Sequence, residues 1–194
     1  PRYTRVVDTV ESKDNINKAY NLISTSKVRN EMIIDDVITC VARKQTPVIL
    51  TRFKEHAKFL HDALKEKADH VFLLYGDNSD KENAEIRVKL KQIPENESLI
   101  LVATGQKIGE GFDFPRLDVL MLAAPVSFEG RLEQYVGRLN RDYVGKEAVY
   151  VYDYIDSHVR YFDKMYAKRL RTYRKTGFSI WTQELQPKQI INAI

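Results

Sequence analysis

Five short apolar runs rich in β-branched residues, each separated from the next by a longer stretch of mixed character, restrict this chain more than any other feature. The runs are 47–51 (PVILT), 71–75 (VFLLY), 99–103 (LILVA), 118–123 (DVLMLA) and 148–153 (AVYVYD). Continuous rather than alternating hydrophobicity over so few residues marks a strand covered on both faces, the condition of a parallel sheet. Between the runs, 53–67, 80–91 and 128–139 read as helices. In the first of these, Phe53, Ala57, Leu60 and Leu64 fall at i, i+4, i+7 and i+11, one face of a helix. The order β-α-β-α-β followed by β-α-β predicts an α/β domain: a parallel sheet of about five or six strands with helices on both faces.

The flanks extend this plan. Residues 27–43 carry Val28, Met32, Val37, Ile38 and Val41, a stripe that predicts a helix covering one face of the sheet. After the last strand, Asp156 or Ser157 is a candidate cap for a helix. This helix would set Phe162, Tyr166, Leu170 and Tyr173 on one face and Arg160, Lys164, Lys168, Arg171 and Lys175 on the other, with Gly177 as its stop signal. The division expected is an extension and packing helix over 1–45, the α/β core over 46–156, and a basic helix and tail over 157–194. With 194 residues, 43% of them hydrophobic, the chain can build one ordinary core. It has no run near the roughly 18 apolar residues of a membrane span, and its N-terminus lacks the layout of a secretory signal. A soluble, cytoplasmic protein without a membrane partner is expected. Cys40 is the only cysteine and the four histidines are scattered, so neither a disulfide within the chain nor a metal site is expected.

In open parallel sheets, functional groups gather in the loops at the carboxyl ends of the strands. The loop after LILVA holds Thr104 and Gly105, then Gly109, Gly111 and Asp113; its glycines allow backbone N–H groups close to a phosphate, and Asp113 offers an acceptor to a sugar hydroxyl. The same composition also describes a plain glycine-rich turn. Gln134, Gly137, Arg138 and Arg141 occupy the end of the third helix, where two arginines three apart suit a triphosphate; a helix C-terminus favours arginines in any case. Net charge is +4, and between Arg160 and Lys175 seven cationic side chains stand against Asp163 alone. That stripe suits phosphate backbone contact, or is a solvated face.

Taken in order, these segments resemble the second RecA-like domain of superfamily 2 helicases. VILTRFKEHAKFL is similar to motif IV, LLYGDNS to the short strand-and-glycine element after it, ATGQKIGEGFDFP to motif V and QYVGRLNR to motif VI, together covering roughly residues 45 to 155. The EGFD and GRLNR forms look closest to bacterial helicases of the restriction and DNA-repair type. The resemblance implies a RecA-like sheet and a set of roles. Arg141 would be the arginine finger on the γ-phosphate of ATP and Arg138 its partner. Asp113 would receive the ribose, with Gly111 giving it access, and Gln134 would add a polar contact linking two domains. Thr51, Arg52, Thr104 and Gly105 would touch the nucleic-acid backbone, and the stripe of Lys164, Lys168 and Arg171 would extend that contact. Two departures stand out: the loop from Thr104 to Asp113 is one residue longer than in DEAD-box relatives, and Asn140 stands where many relatives carry glycine.

The chain contains no GxxxxGK[ST] and no DExx box, so the lysine, Mg²⁺ ligands and catalytic acid of such a site would come from a first RecA-like domain. With Pro1 at the start, the expectation is a piece of a longer parent that does not hydrolyse ATP alone. The partners expected are that first domain, nucleic acid with DNA favoured over RNA, and a nuclease or repair module. Two other readings remain: a non-hydrolysing RecA-like scaffold or nucleic-acid-binding module, and a self-contained nucleotide binder. The second is opposed by TRFKEH after the first strand in place of a GxGxxG turn.

Overall fold

A computed structural model describes residues 1–4, 15–105, 113–126 and 129–181, apart from the side chains of Asp80, Glu129, Arg131 and Arg138. Its strands are β1 (Arg2–Tyr3), β2 (Pro47–Thr51), β3 (His70–Leu74), β4 (Leu99–Thr104), β5 (Val119–Leu122) and β6 (Tyr150–Ile155). Its helices are α1 (Ile16–Thr25), α2 (Lys27–Ala42), α3 (Lys54–Leu64), α4 (Asp80–Gln92), α5 (Glu129–Leu139) and α6 (Arg160–Lys175). The strands lie in the order β1-β6-β5-β2-β4-β3, and every pairing is parallel. The α/β sheet expected from the apolar runs is therefore present, with six strands.

Alternation along each strand sorts its side chains between two layers. Ile49, Ile100, Val102, Val119 and Met121 face Ile33, Val37 and Cys40 of α2 and Ala57, Leu60 and Leu64 of α3. The intervening Val48, Leu50, Leu101, Ala103, Leu120 and Leu122 face Leu90 of α4, Leu132, Tyr135, Val136 and Leu139 of α5, and Tyr173 of α6. Burying each such leucine or isoleucine contributes on the order of 2 kcal/mol, so both layers are needed to hold the sheet. Local signals bound the helices. Ser79 and Glu82 form a reciprocal capping box at the start of α4, and Gly177, at φ +81°, ends α6 as its position predicts.

α2 turns inward a face rotated from its hydrophobic stripe, whereas α6 keeps its expected apolar and basic faces and adds Arg169 and Thr172 to the buried side. In α2 the buried set is Arg29, Asn30, Ile33, Asp36, Val37 and Cys40, whereas Val28 is exposed. In α6 it is Phe162, Arg169, Thr172 and Tyr173. The cause is buried ion pairing. Arg29 donates to both carboxylate oxygens of Asp156 at 3.0 and 3.2 Å and to the Ala123 carbonyl at 2.7 Å. Arg169 grips Asp153 at 2.7 and 2.8 Å and the Val126 carbonyl at 2.9 Å. Neither Asp156 nor Ser157 caps α6: its N-cap is Val159, without a side-chain hydrogen bond, because the Asp156 carboxylate is committed to Arg29 and Thr4. β1 and α1 went unforeseen. Asp36 holds Arg2 of β1 at 2.7 Å and accepts from the Tyr154 hydroxyl at 3.0 Å.

Candidate functional site

β2 and β4 are neighbours in a register that pairs Thr51 with Thr104, so the two threonines end their strands side by side at the carboxyl edge. Both are nearly buried. The Asn30 amide donates through Nδ2 to the Ser24 carbonyl at 2.9 Å, which turns its Oδ1 toward His56 Nε2, also at 2.9 Å. Nε2 must therefore carry the ring proton, and the neutral ring offers Nδ1 as an acceptor to the Thr51 hydroxyl at 2.7 Å. Burial first, and the charge of Arg29 second, lower the His56 pKa to about 3, keeping the ring neutral. The proton of the Thr51 hydroxyl is thus already donated.

Beside Thr51, Arg52 is exposed and places its guanidinium 4.5 Å from the centroid of the Tyr20 ring. Tyr20 donates from its hydroxyl to the Pro125 carbonyl at 2.7 Å, so α1 bridges the loops that follow β2 and β5. Gly105 follows Thr104, and its carbonyl accepts from the Tyr135 hydroxyl of α5 at 2.7 Å. A Cβ at Gly105 would lie 2.9 Å from that same hydroxyl, a close approach that explains the glycine.

The strand-end rule does not reach the second group. α5 starts from the loop at the carboxyl end of β5 and leads to the amino end of β6, so it runs antiparallel to the strands over about 16 Å. Its last residue, Leu139, lies toward the opposite edge of the sheet, and Arg141 lies beyond the helix rather than on a helical face shared with Arg138. There the Arg141 guanidinium meets the Asp113 carboxylate at 2.5 Å, with both side chains about half exposed. Lys146 sits behind the pair and donates to the carbonyls of Pro115 and Leu139 at 2.6 Å each and of Arg141 at 3.1 Å. Burial pulls the Lys146 pKa below the usual lysine value, against the attraction of Asp118 and Asp142. Gln134 is exposed on α5, and Arg138 follows it by one turn. The Arg138 side chain and Gly111 lie outside the described residues.

On α6, Lys164, Lys168 and Arg171 are exposed, but Arg169, counted in the basic run, points inward to Asp153. The helix starts near the carboxyl edge, where the Phe162 and Tyr20 ring centroids are 4.8 Å apart. Four residues that the sequence reading did not single out support these groups: Tyr20, His56, Tyr135 and Lys146. Tyr135 and His56 stand inside the motif VI and motif IV segments, whereas Tyr20 has no local signal. Among the described residues no group of three or more His, Cys, Asp or Glu is placed to hold a metal ion, and no helix is long and apolar enough to cross a membrane.

The six-stranded parallel sheet with helices on both faces is a RecA-like fold of the kind found in helicase C-terminal domains. The chain belongs to the family described as Helicase conserved C-terminal domain, whose model matches residues 28–142. It is 32% identical over 120 residues to Transcript termination protein A18 of Yaba-like disease virus, an alignment covering 61% of this chain and 24% of that protein. The chain thus spans about a quarter of the length of the curated relatives it matches. Among solved structures it resembles T4 UvsW, with a TM-score of 0.69, 22% identity, and coverage of 86% of this chain and 36% of that one. It also resembles the C-terminal domain of the DEAD-box protein Dbp5, with a TM-score of 0.55, 16% identity, and coverage of 74% and 78%. Both are likenesses of fold.

Proposed function

We propose that this chain is the second motor domain of an ATP-dependent nucleic-acid helicase or translocase, completing an ATP site whose other wall belongs to the first RecA-like domain of the parent protein. The observation that best supports this reading is the meeting of Asp113 and Arg141, which come from separate motifs and remain half exposed. A pair so exposed is weakly bound and can exchange partners at small cost. In the closed motor, Arg141 would leave Asp113 for the γ-phosphate, with Arg138 beside it, and Asp113 would turn to the ribose, reached past Gly111. Gln134 would lie against the first domain. Bound ATP with Mg²⁺ supplies the phosphoryl group, and the metal's ligands belong to the first domain; the residues of this chain supply positive charge and orientation.

The nucleic-acid strand would cross the carboxyl edge over Thr51, Arg52, Thr104 and Gly105, with Lys164, Lys168 and Arg171 reaching its phosphates. Contacts of this kind grip a backbone without reading bases. With its proton given to His56, the Thr51 hydroxyl would bound the strand's path rather than donate to a phosphate. We take DNA as the strand. Several viral relatives are named for transcript termination, so a transcribed duplex is the substrate we favour; the nuclease or repair partner draws no support from those names.

The test is Arg141→Ala in the full-length parent. Nucleic-acid-stimulated ATPase should fall on the order of a thousandfold, with single-strand binding largely intact. Unchanged turnover sinks the finger assignment.

A further inference from the structure

We propose that Lys146 is a positioning residue for the finger, holding the backbones on either side of the Asp113–Arg141 pair at a fixed separation. This rests on the reading of Arg141 given above. An ammonium group has three donors and no acceptor. Here three carbonyls take them: Pro115, two residues after Asp113; Leu139, the last residue of α5; and Arg141 itself. The Leu139 carbonyl belongs to the last turn of a helix, where no amide of the helix remains to satisfy it, and a cation there also opposes the helix dipole. A cap alone would need only that bond. The other two connect the segment carrying Asp113 to the segment carrying Arg141.

Apolar packing also brings the two segments together, and each has further anchors. Phe114, beside Asp113, is buried in the α5 layer, and Arg116 donates to the Pro94 carbonyl at 3.1 Å and the Glu95 carbonyl at 3.2 Å. α5 is tied at Tyr135 to the Gly105 carbonyl, one turn before its end. To this packing Lys146 adds the hydrogen-bonded joint that sets the backbones beside Asp113 and Arg141. Since misplacing a reacting group by about 1 Å can lower a rate on the order of a hundredfold, loss of the joint should appear in turnover rather than in strand binding.

The experiment compares Lys146→Met, Lys146→Arg and Arg141→Ala in the full-length parent, measuring kcat and KM for ATP with single-stranded DNA as stimulant, strand affinity, and folding by circular dichroism. Lys146→Met should lose tenfold or more in kcat while its strand affinity stays within twofold. Arginine keeps the charge, but its planar fork cannot direct three donors from one nitrogen; a loss of about fivefold is expected. A Lys146→Met protein that folds and turns over within twofold of the parent overturns the proposal and leaves Lys146 a helix cap. Should Lys146→Met fail to fold, Lys146→Arg decides alone: turnover within twofold of the parent overturns the proposal, and a fivefold loss supports it. Full activity in Arg141→Ala removes the finger itself, whereas an inactive Arg141→Ala beside an active Lys146→Met removes only the positioning role.

Discussion

His56 makes stability depend on pH in a way that can be calculated. The ring is 4% exposed, both nitrogens are engaged, and the positive charge of Arg29 from α2 also disfavours its protonation. In the unfolded chain it takes up a proton near 6.5, whereas in the fold it does so only at about 3. Between those values the unfolded state binds more protons, so stability rises with pH; it is fully present above 6.5 and is lost as pH falls toward 3, at ~1.4 kcal/mol per unit within the window. From pH 7.5 to pH 5 the contribution of His56 amounts to about 2 kcal/mol. The assay is urea unfolding of the 194-residue chain and its His56→Gln variant at both pH values. The variant should be weaker at pH 7.5 by about 1–3 kcal/mol, since the Thr51 hydroxyl and Asn30 Oδ1 lose their partner. Its further loss on acidification should be smaller than that of the parent by about 2 kcal/mol. All other titrating groups are common to both proteins and cancel in the difference. Equal losses, or a His56 ring that titrates near 6.5 by NMR, would refute the reasoning.

Arg169→Met strands the Asp153 carboxylate, 2% exposed, with Tyr173 as its remaining partner, and should destabilise the chain by about 3–5 kcal/mol in denaturant titration. Gly105→Ala should cost about 1–3 kcal/mol by overpacking against the Tyr135 hydroxyl; adding Tyr135→Phe should recover part of that loss, and a neutral Gly105→Ala would show that the close approach is not tight in solution. Reversing Lys164, Lys168 and Arg171 to glutamate should weaken strand binding and flatten its salt dependence by about 0.7–0.9 in slope for each phosphate contact removed. Equal slopes would return that stripe to a solvated face.

Five strands were legible because a strand buried on both faces must be apolar throughout, a signature that few other local structures share. β1 was not: two residues carry no period, and Arg2–Tyr3 is held by β6 and Asp36 from far along the chain. The inward face of α2 and the burial of Arg169 on α6 escaped the hydrophobic pattern for one physical reason. Hydrophobicity places an arginine outward, yet Arg29 and Arg169 go inward because Asp156 and Asp153 wait there, 127 and 16 residues away in sequence, and neither pairing leaves a helical spacing to read. The strand-end rule located Thr104, Gly105 and Asp113, whereas Thr51 and Arg52 came only from the likeness to motif IV. It gave no reason to bring Asp113 against Arg141 beyond the end of α5; only their likeness to known motifs joined those two. The supporting Tyr20, His56 and Lys146 act through tertiary contacts that no spacing announces.

The family's match starts at residue 28, inside α2, while Tyr20 stands in α1 beneath Arg52. A fragment trimmed to the family boundary would keep every quoted motif and still lose the aromatic floor of its own carboxyl edge. It would also lose the Ser24 carbonyl that orients Asn30, and through it the His56 tautomer. Weak strand binding by such a trimmed fragment would therefore report where the cut was made rather than what the motifs can do.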